Sequence, residues 1–410
     1  MAKEQIMEFQ QPDLNIGVVG HIDHGKTTLL QRITGVWASR HSEELKRGIT
    51  IKLGYADSFI KKCSKCNQFI ATDKCKCGNK ASIVRYVSFV DAPGHEMLMA
   101  TMLSGAAIID AAILLIAANE KCPQPQTKEH LIALGAKGIK NIIIVQNKID
   151  LLSKKEVLEN YKEIKEFVKG TIAENASIIP VSAQKGVNIS ELLEEITKLP
   201  TPERDTKSNP LFFIARSFDI NKPGTLVKEL VGGVFGGTLK QGIFKVGYKV
   251  EIKPGLMEEK SGKITCKTIK TTISDLVSGK NHLKQAMPSG SLAISTLLDP
   301  FLSKGDALAG NIIGLEGKLP EVVYEIKIKS NLFDKVVGAK KEIPVKDLEM
   351  NESLLLSINT SVTVGIITSI KKDEIIFILK LPVVAIKGSN IGIARNIEGR
   401  WRLVGYGVIE

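Results

Sequence analysis

Apolar runs and amphipathic stretches alternate along roughly the first half of the chain. Leu14 to Gly20 (LNIGVVG) reads as a buried strand, and the glycine-rich turn behind it leads into KTTLLQRIT, a helix start. Further strand-like runs follow at IVRYVSFVD, AAILLIAAN, NIIIVQNKID and IIPVSA. Between the last two lies a charged segment, Lys154 to Glu174. Its apolar positions Val157, Tyr161, Ile164, Phe167 and Val168 are spaced by threes and fours, like one helix face. Apolar strands alternating with helices predict an α/β domain with a mostly parallel sheet covered on both faces. Its ligand should lie at the carboxyl ends of the strands.

The pattern changes at LPTPERDTKSNP, Leu199 to Pro210, where three prolines among charged and small residues make a linker. Helical periodicity then gives way to short β-branched runs punctuated by glycine, such as KVGYKVEIKPG and KITCKTIKTTISDL. Closing such strands into a barrel removes their exposed edges. A second break at GLEGKLP precedes another series, VVYEIKIK, SLLLSINTSVTVGIITSI, EIIFILKLPVVAI and WRLVGYGVIE. The organisation expected is an α/β domain over 1–205, one antiparallel β-barrel over 206–320 and a second over 321–410.

Composition changes this picture little. The net charge of +12 suits a polyanionic partner such as RNA, a modest bias over 410 residues. The N-terminal MAKEQIMEFQQPD does not read as a signal peptide. The most apolar run, Ala106 to Ala118, contains Asp110 and is shorter than the ~20 residues that cross a bilayer. A buried helix end and a core strand explain that run. The expectation is a soluble, cytoplasmic protein with no membrane partner.

Five short segments carry chemistry. GHIDHGKT, Gly20 to Thr27, sits between the first strand and helix with the spacing of a phosphate loop. Backbone N–H groups there can wrap a β-phosphate, Lys26 can neutralise β and γ oxygens, and the Thr27 hydroxyl can coordinate magnesium. Asp23, His24, Gly25, Lys26, Thr27 and Thr28 are the candidate contacts, with Asp23 a further candidate at the magnesium and the reacting phosphate. DAPGH follows a strand: Asp91 can hold magnesium through water, and the Gly94 N–H can sense the γ-phosphate. NKID, Asn147 to Asp150, selects the base, with Asn147 and Lys148 completing the candidate contacts. Guanine offers N1–H and 2-amino donors to the Asp150 carboxylate, whereas adenine faces it with a lone pair. The mismatch costs about 1–3 kcal/mol or more, enough for tenfold to several hundredfold discrimination. GTP is therefore expected over ATP. SAQ (Ser182, Ala183, Gln184) can offer N–H groups to the guanine carbonyl oxygen, and Thr50 of RGITI is a candidate second hydroxyl on magnesium. Each segment alone also reads as a surface turn at a strand end; their joint order excludes that.

Four of the six cysteines crowd together as Cys63-x2-Cys66 and Cys75-x-Cys77 within the 58–82 insertion. Four soft ligands in two close pairs suit a structural zinc with no position left for a catalytic water. Reduced thiols without metal, or a redox pair, are the alternatives. Loss of zinc is expected to disorder only this insertion.

The five segments, in this order and spacing, resemble the translational GTPases, the group that includes elongation factor Tu. The resemblance implies a P-loop GTPase domain followed by two barrels. It implies that His95 orients the attacking water, with Thr50 and Asp23 beside it and Ile22 and Ile49 as an apolar gate. Within that group the four-cysteine insertion, NKIDLLSKKEVLENY, RSFDINKPGT, GGVFGGTLKQG and the closing WRLVGYG are similar to the gamma-subunit family of initiation factor 2. That likeness implies GTP-dependent delivery of methionyl initiator tRNA to the small ribosomal subunit, and alpha and beta subunits as partners; mRNA contact is not predicted. Competing readings are an elongation-type tRNA carrier, a scaffold holding GTP without turnover, and a zinc-centred RNA-binding module.

Overall fold

The computed structural model describes residues 11–35, 54–92, 107–260, 263–336 and 343–410. The chain divides into two compact units between Pro202 and Glu203.

In the first unit the strands are β1 (Leu14–Gly20), β2 (Gly54–Cys63), β3 (Phe69–Ile70), β4 (Ala81–Asp91), β5 (Ala111–Ala117), β6 (Asn141–Asn147) and β7 (Ser177–Pro180). They form one sheet in the order β3-β2-β4-β1-β5-β6-β7. Neighbours from β4 through β7 run parallel, while β2 is antiparallel to both β4 and β3. The sheet is thus mixed, with a parallel centre. β1 and β5 are buried along their whole length, which explains why they read as unbroken apolar runs rather than alternating ones.

Helices α1 (Lys26–Thr34), α2 (Pro125–Ala136), α3 (Lys154–Val168) and α4 (Ile189–Lys198) connect them. α3 opens on a capping box in which Ser153 and Glu156 satisfy each other's backbone N–H. It is shorter than the periodic segment, because Gly170 turns the chain with φ +70°. Ile164 and Val168 are its apolar core contacts, while Val157, Tyr161 and Phe167 are half-buried. The core beneath α1 and α4 gathers Leu14, Ile16, Leu29, Phe89, Ile113 and Leu193. No helix among the described residues is long and apolar enough to cross a membrane.

The second unit is all-β apart from short 3-10 turns. The linker from Leu199 to Pro210 contains no helix or strand, and the Asp205 carboxylate orders it by accepting from Lys207 and Ser208 N–H. Strands Leu211–Phe218, Val234–Gln241, Lys249–Lys260, Lys263–Ser278, Leu292–Thr296 and Ile312–Leu315 form an antiparallel ring, closed by pairing of the two long strands. Phe212, Phe235, Phe244 and Ile294 fill it. A second closed barrel takes the strands from Val322–Leu332 to Arg400–Ile409. Alternation is plain on its first strand, where Ile326 and Ile328 are buried between exposed Glu325, Lys327 and Lys329. Between the barrels, Lys253 Nζ donates to the carbonyls of Leu319 and Pro320 and meets Glu321 at 3.2 Å, while Glu251 accepts from Leu319 N–H.

Candidate functional site

The carboxyl ends of β1, β4 and β6 bring three of the sequence segments together. β1 runs into the phosphate loop, where Gly25 adopts φ +91° and caps α1. A Cβ at Gly25 would stand 2.5 Å from Asn147 Nδ2, so only glycine fits. Asp23 is exposed in the left-handed region with φ +59°. Lys26 is buried, its ammonium donating to the carbonyls of Gly20 at 2.8 Å and His21 at 2.7 Å. Burial pushes its pKa down to about 8, against the raising effect of Asp91 and Asp23. Thr27 Oγ1 donates to Asp91 Oδ2 at 3.0 Å, joining the helix start to the end of β4. A hydroxyl and a carboxylate side by side are hard oxygen donors, the set magnesium takes.

Two histidines brace the loop from beneath. His24 is fully buried and its Nδ1 donates to Leu115 O at 2.9 Å; burial pushes its pKa down to about 4, so the ring is neutral. His130 of α2 accepts the Gly20 N–H on Nδ1 at 2.9 Å, and burial pushes it down to about 3. The sequence marked His24 as a contact and gave no sign of His130.

Asn147, at the end of β6, ties two loops together. Its Nδ2 donates to His24 O at 2.9 Å and its Oδ1 accepts from Ala183 N–H at 3.0 Å. Lys148 has φ +63°, and Asp150 stands exposed in the 3-10 turn that follows. Ser182 and Ala183 are buried, and Gln184 is exposed. The sequence also missed Arg32, whose guanidinium reaches this loop from α1: Nε donates to Ala183 O at 2.9 Å and Nη2 to Gln184 O. Thr28 lies half-buried in the first turn of α1. Thr50, Gly94 and His95, with Ile49, lie outside the described residues.

The four insertion cysteines converge at the far end of β2. Their sulfurs all lie within 4.8 Å of one another, with Cys63 to Cys77 at 3.4 Å and Cys66 to Cys75 at 3.3 Å. Four sulfurs around one zinc stand about 3.8 Å apart for bonds near 2.3 Å, so the spacing fits. All four thiols are free. A bond from Asn79 Nδ2, first among several, holds Cys77 below the usual thiol range. The insertion is not detached: Phe69 and Ala71 pack on the domain core, and Phe69 N–H donates to Ser190 Oγ in the first turn of α4.

Known proteins align with this arrangement along its whole length. Residues 11–202 match the family described as the elongation factor Tu GTP binding domain, and residues 324–409 match the C-terminal domain of initiation factor eIF2 gamma. Translation initiation factor 2 subunit gamma of Methanocaldococcus jannaschii is 53% identical over 412 aligned positions, covering 100% of both chains. The same subunit of Pyrococcus furiosus is 51% identical over 98% of each chain. That of Archaeoglobus fulgidus is 52% identical over 98% of this chain and 96% of its own. Among solved structures, a bacterial selenocysteine-specific elongation factor, EF-Sec, superposes with TM-score 0.74 at 24% identity. It covers 96% of this chain, which spans 58% of that structure. Elongation factor SelB of Methanococcus maripaludis with a GTP analogue gives TM-score 0.72 at 22% identity, over 98% of this chain and 80% of that one. These two likenesses concern the fold alone. The chain belongs to the gamma subunits of archaeal translation initiation factor 2, GTP-binding and GTP-hydrolysing members of the translational GTPases.

Proposed function

We propose that the protein binds methionyl initiator tRNA in its GTP state, delivers it to the small ribosomal subunit, and is released on GTP hydrolysis. The observation that carries this reading is the identity of 53% extending across both barrels as well as the GTPase domain. The elongation-type alternative has only a shared fold behind it, at 22–24% identity. Alpha and beta subunits of the same factor complete the assembly.

In this reading the N–H groups of Asp23 to Thr28 cradle the phosphates, and Lys26 leaves its two carbonyl partners to meet the β and γ oxygens. Thr27 and Asp91, already 3.0 Å apart, are the residues that hold magnesium, with Thr50 as a further ligand and Asp23 beside them. When bound, magnesium neutralises charge on the β and γ oxygens. Asp150 accepts from the guanine N1–H and 2-amino group, and the loop at Ser182, Ala183 and Gln184 meets the carbonyl oxygen. The Gly94 N–H senses the γ-phosphate, and His95 orients the attacking water. Cys63, Cys66, Cys75 and Cys77 hold a structural zinc, which staples the hairpin shut.

The test is His95→Ala with purified subunits and ribosomes. GTP affinity and GTP-dependent retention of initiator tRNA should stay within about twofold, while ribosome-coupled hydrolysis falls by about two orders of magnitude or more. Unchanged hydrolysis would remove His95 from the mechanism.

A further inference from the structure

We infer that Arg32 is a positioning residue for base recognition: it fixes the peptide planes at Ala183 and Gln184 so that the Gln184 N–H is held ready for the guanine carbonyl oxygen. The inference rests on the guanine reading above and extends it to a residue on a different element.

Arg32 sits in the last turn of α1, the helix whose first turn carries Lys26 and Thr27. Its guanidinium spans two consecutive carbonyls, Ala183 O at 2.9 Å through Nε and Gln184 O through Nη2. The planar fork suits such a pair, since its donors diverge in one plane. In a trans peptide the C=O of one residue and the N–H of the next point in opposite directions. Holding Ala183 O against Arg32 therefore turns the Gln184 N–H to the side away from α1. The neighbouring amides are occupied: Ser182 N–H bonds Val187 O, Ala183 N–H bonds Asn147 Oδ1, and Lys185 N–H bonds Ser182 Oγ. Among the described residues the Gln184 N–H alone of these four has no acceptor, and it is the donor this loop has left to offer.

Two side chains thus grip the loop, Asn147 through the Ala183 N–H and Arg32 through the carbonyls of Ala183 and Gln184. Asn147 fixes its first half to the phosphate loop through His24 O, and Arg32 fixes its second half to α1. Phosphate recognition and recognition of the carbonyl oxygen then ride on one helix. Arg32 is solvent-exposed, and alanine is the strongest helix former, so its removal should leave the fold intact.

The experiment measures equilibrium binding of GDP and 6-thioguanosine diphosphate to wild type, Arg32→Ala and Arg32→Lys. The thio analogue keeps N1–H and the 2-amino group and replaces the carbonyl oxygen by a weak acceptor. Arg32→Ala should weaken GDP by about threefold to tenfold and barely change the thio analogue, so that the preference between them collapses. Arg32→Lys, which cannot span both carbonyls, should restore it only in part. Equal weakening of both ligands, or an unchanged preference, would overturn the inference. A parallel Asp150→Asn variant separates the two readings, because it should exchange guanosine for xanthosine diphosphate. If that exchange fails, the base assignment falls; if it succeeds and the Arg32→Ala preference is intact, only the role of Arg32 falls.

Discussion

Lys26 shows how a single residue couples folding to ligand binding. With its pKa pushed down to about 8 by burial, the unfolded chain holds more protons than the folded one between about 8 and the ordinary lysine value. Stability therefore rises with pH through that window: burying the cation counts against the fold below it and is relieved above it. Nucleotide binding runs the other way, since phosphate oxygens favour the charged amine. GDP affinity should be level between about pH 6.5 and 7.5 and fall above about pH 8, by no more than tenfold per unit. Titration calorimetry in two buffers of different ionisation enthalpy should show proton uptake on binding at high pH. Affinity independent of pH up to about 9.5 would mean that Lys26 keeps an ordinary pKa. Lys26 and Asp150 stand out as candidates in the sequence because phosphate and guanine chemistry dictate residue type and spacing. Arg32 and His130 do not. Arg32 occupies a solvent-side helix position that any polar residue can fill. His130 lies on a helix whose buried face includes Gln126, Thr127 and Glu129, so no apolar stripe marked its inward side.

At the level of elements, the insertion and the last helix are joined in a way that spacing alone did not show. The sequence supports a knuckle that can lose order by itself. In the fold, Phe69 and Ala71, half-buried, pack against the domain core and Phe69 N–H reaches Ser190. Removing metal with a chelator should raise amide exchange across residues 64–80 and also in the first turn of α4, while β1, β5 and β6 stay protected. Exchange unchanged at Ile189 to Leu192 would mean that the hairpin is independent after all. Arg85 makes a second such joint. It is buried on β4 and donates to the Asp13 carboxylate, to the carbonyls of Ile196, Thr197 and Leu199 that end α4, and to Thr201 Oγ1. Arg85→Ala strands those acceptors and should destabilise the GTPase domain by about 2–4 kcal/mol, read from denaturant unfolding with bound nucleotide as reporter. A change below about 0.5 kcal/mol would show that water replaces the guanidinium. Before the fold was known, Arg85 was one polar residue inside a strand-like run, and its partners at the end of α4 lie more than a hundred positions away.

For the whole molecule, the alternation of apolar runs with helices, then its loss after Pro210, was enough to anticipate an α/β domain and two closed barrels. Strand order, the antiparallel β2 and β3, and the sites where the barrels close depend on pairings distant in sequence, which no local pattern encodes. Delivery of tRNA belongs to this scale, because the likeness to the gamma subunits runs through the barrels as well as the nucleotide site, and no basic groove or row of aromatic residues in the sequence announced it. The direct test is equilibrium binding of methionylated initiator tRNA and elongator methionyl-tRNA, with a non-hydrolysable GTP analogue and then with GDP, alpha subunit present. The account predicts a preference for the initiator that exists only in the GTP-like state. Equal binding of the two tRNAs, or binding indifferent to the nucleotide, would contradict it.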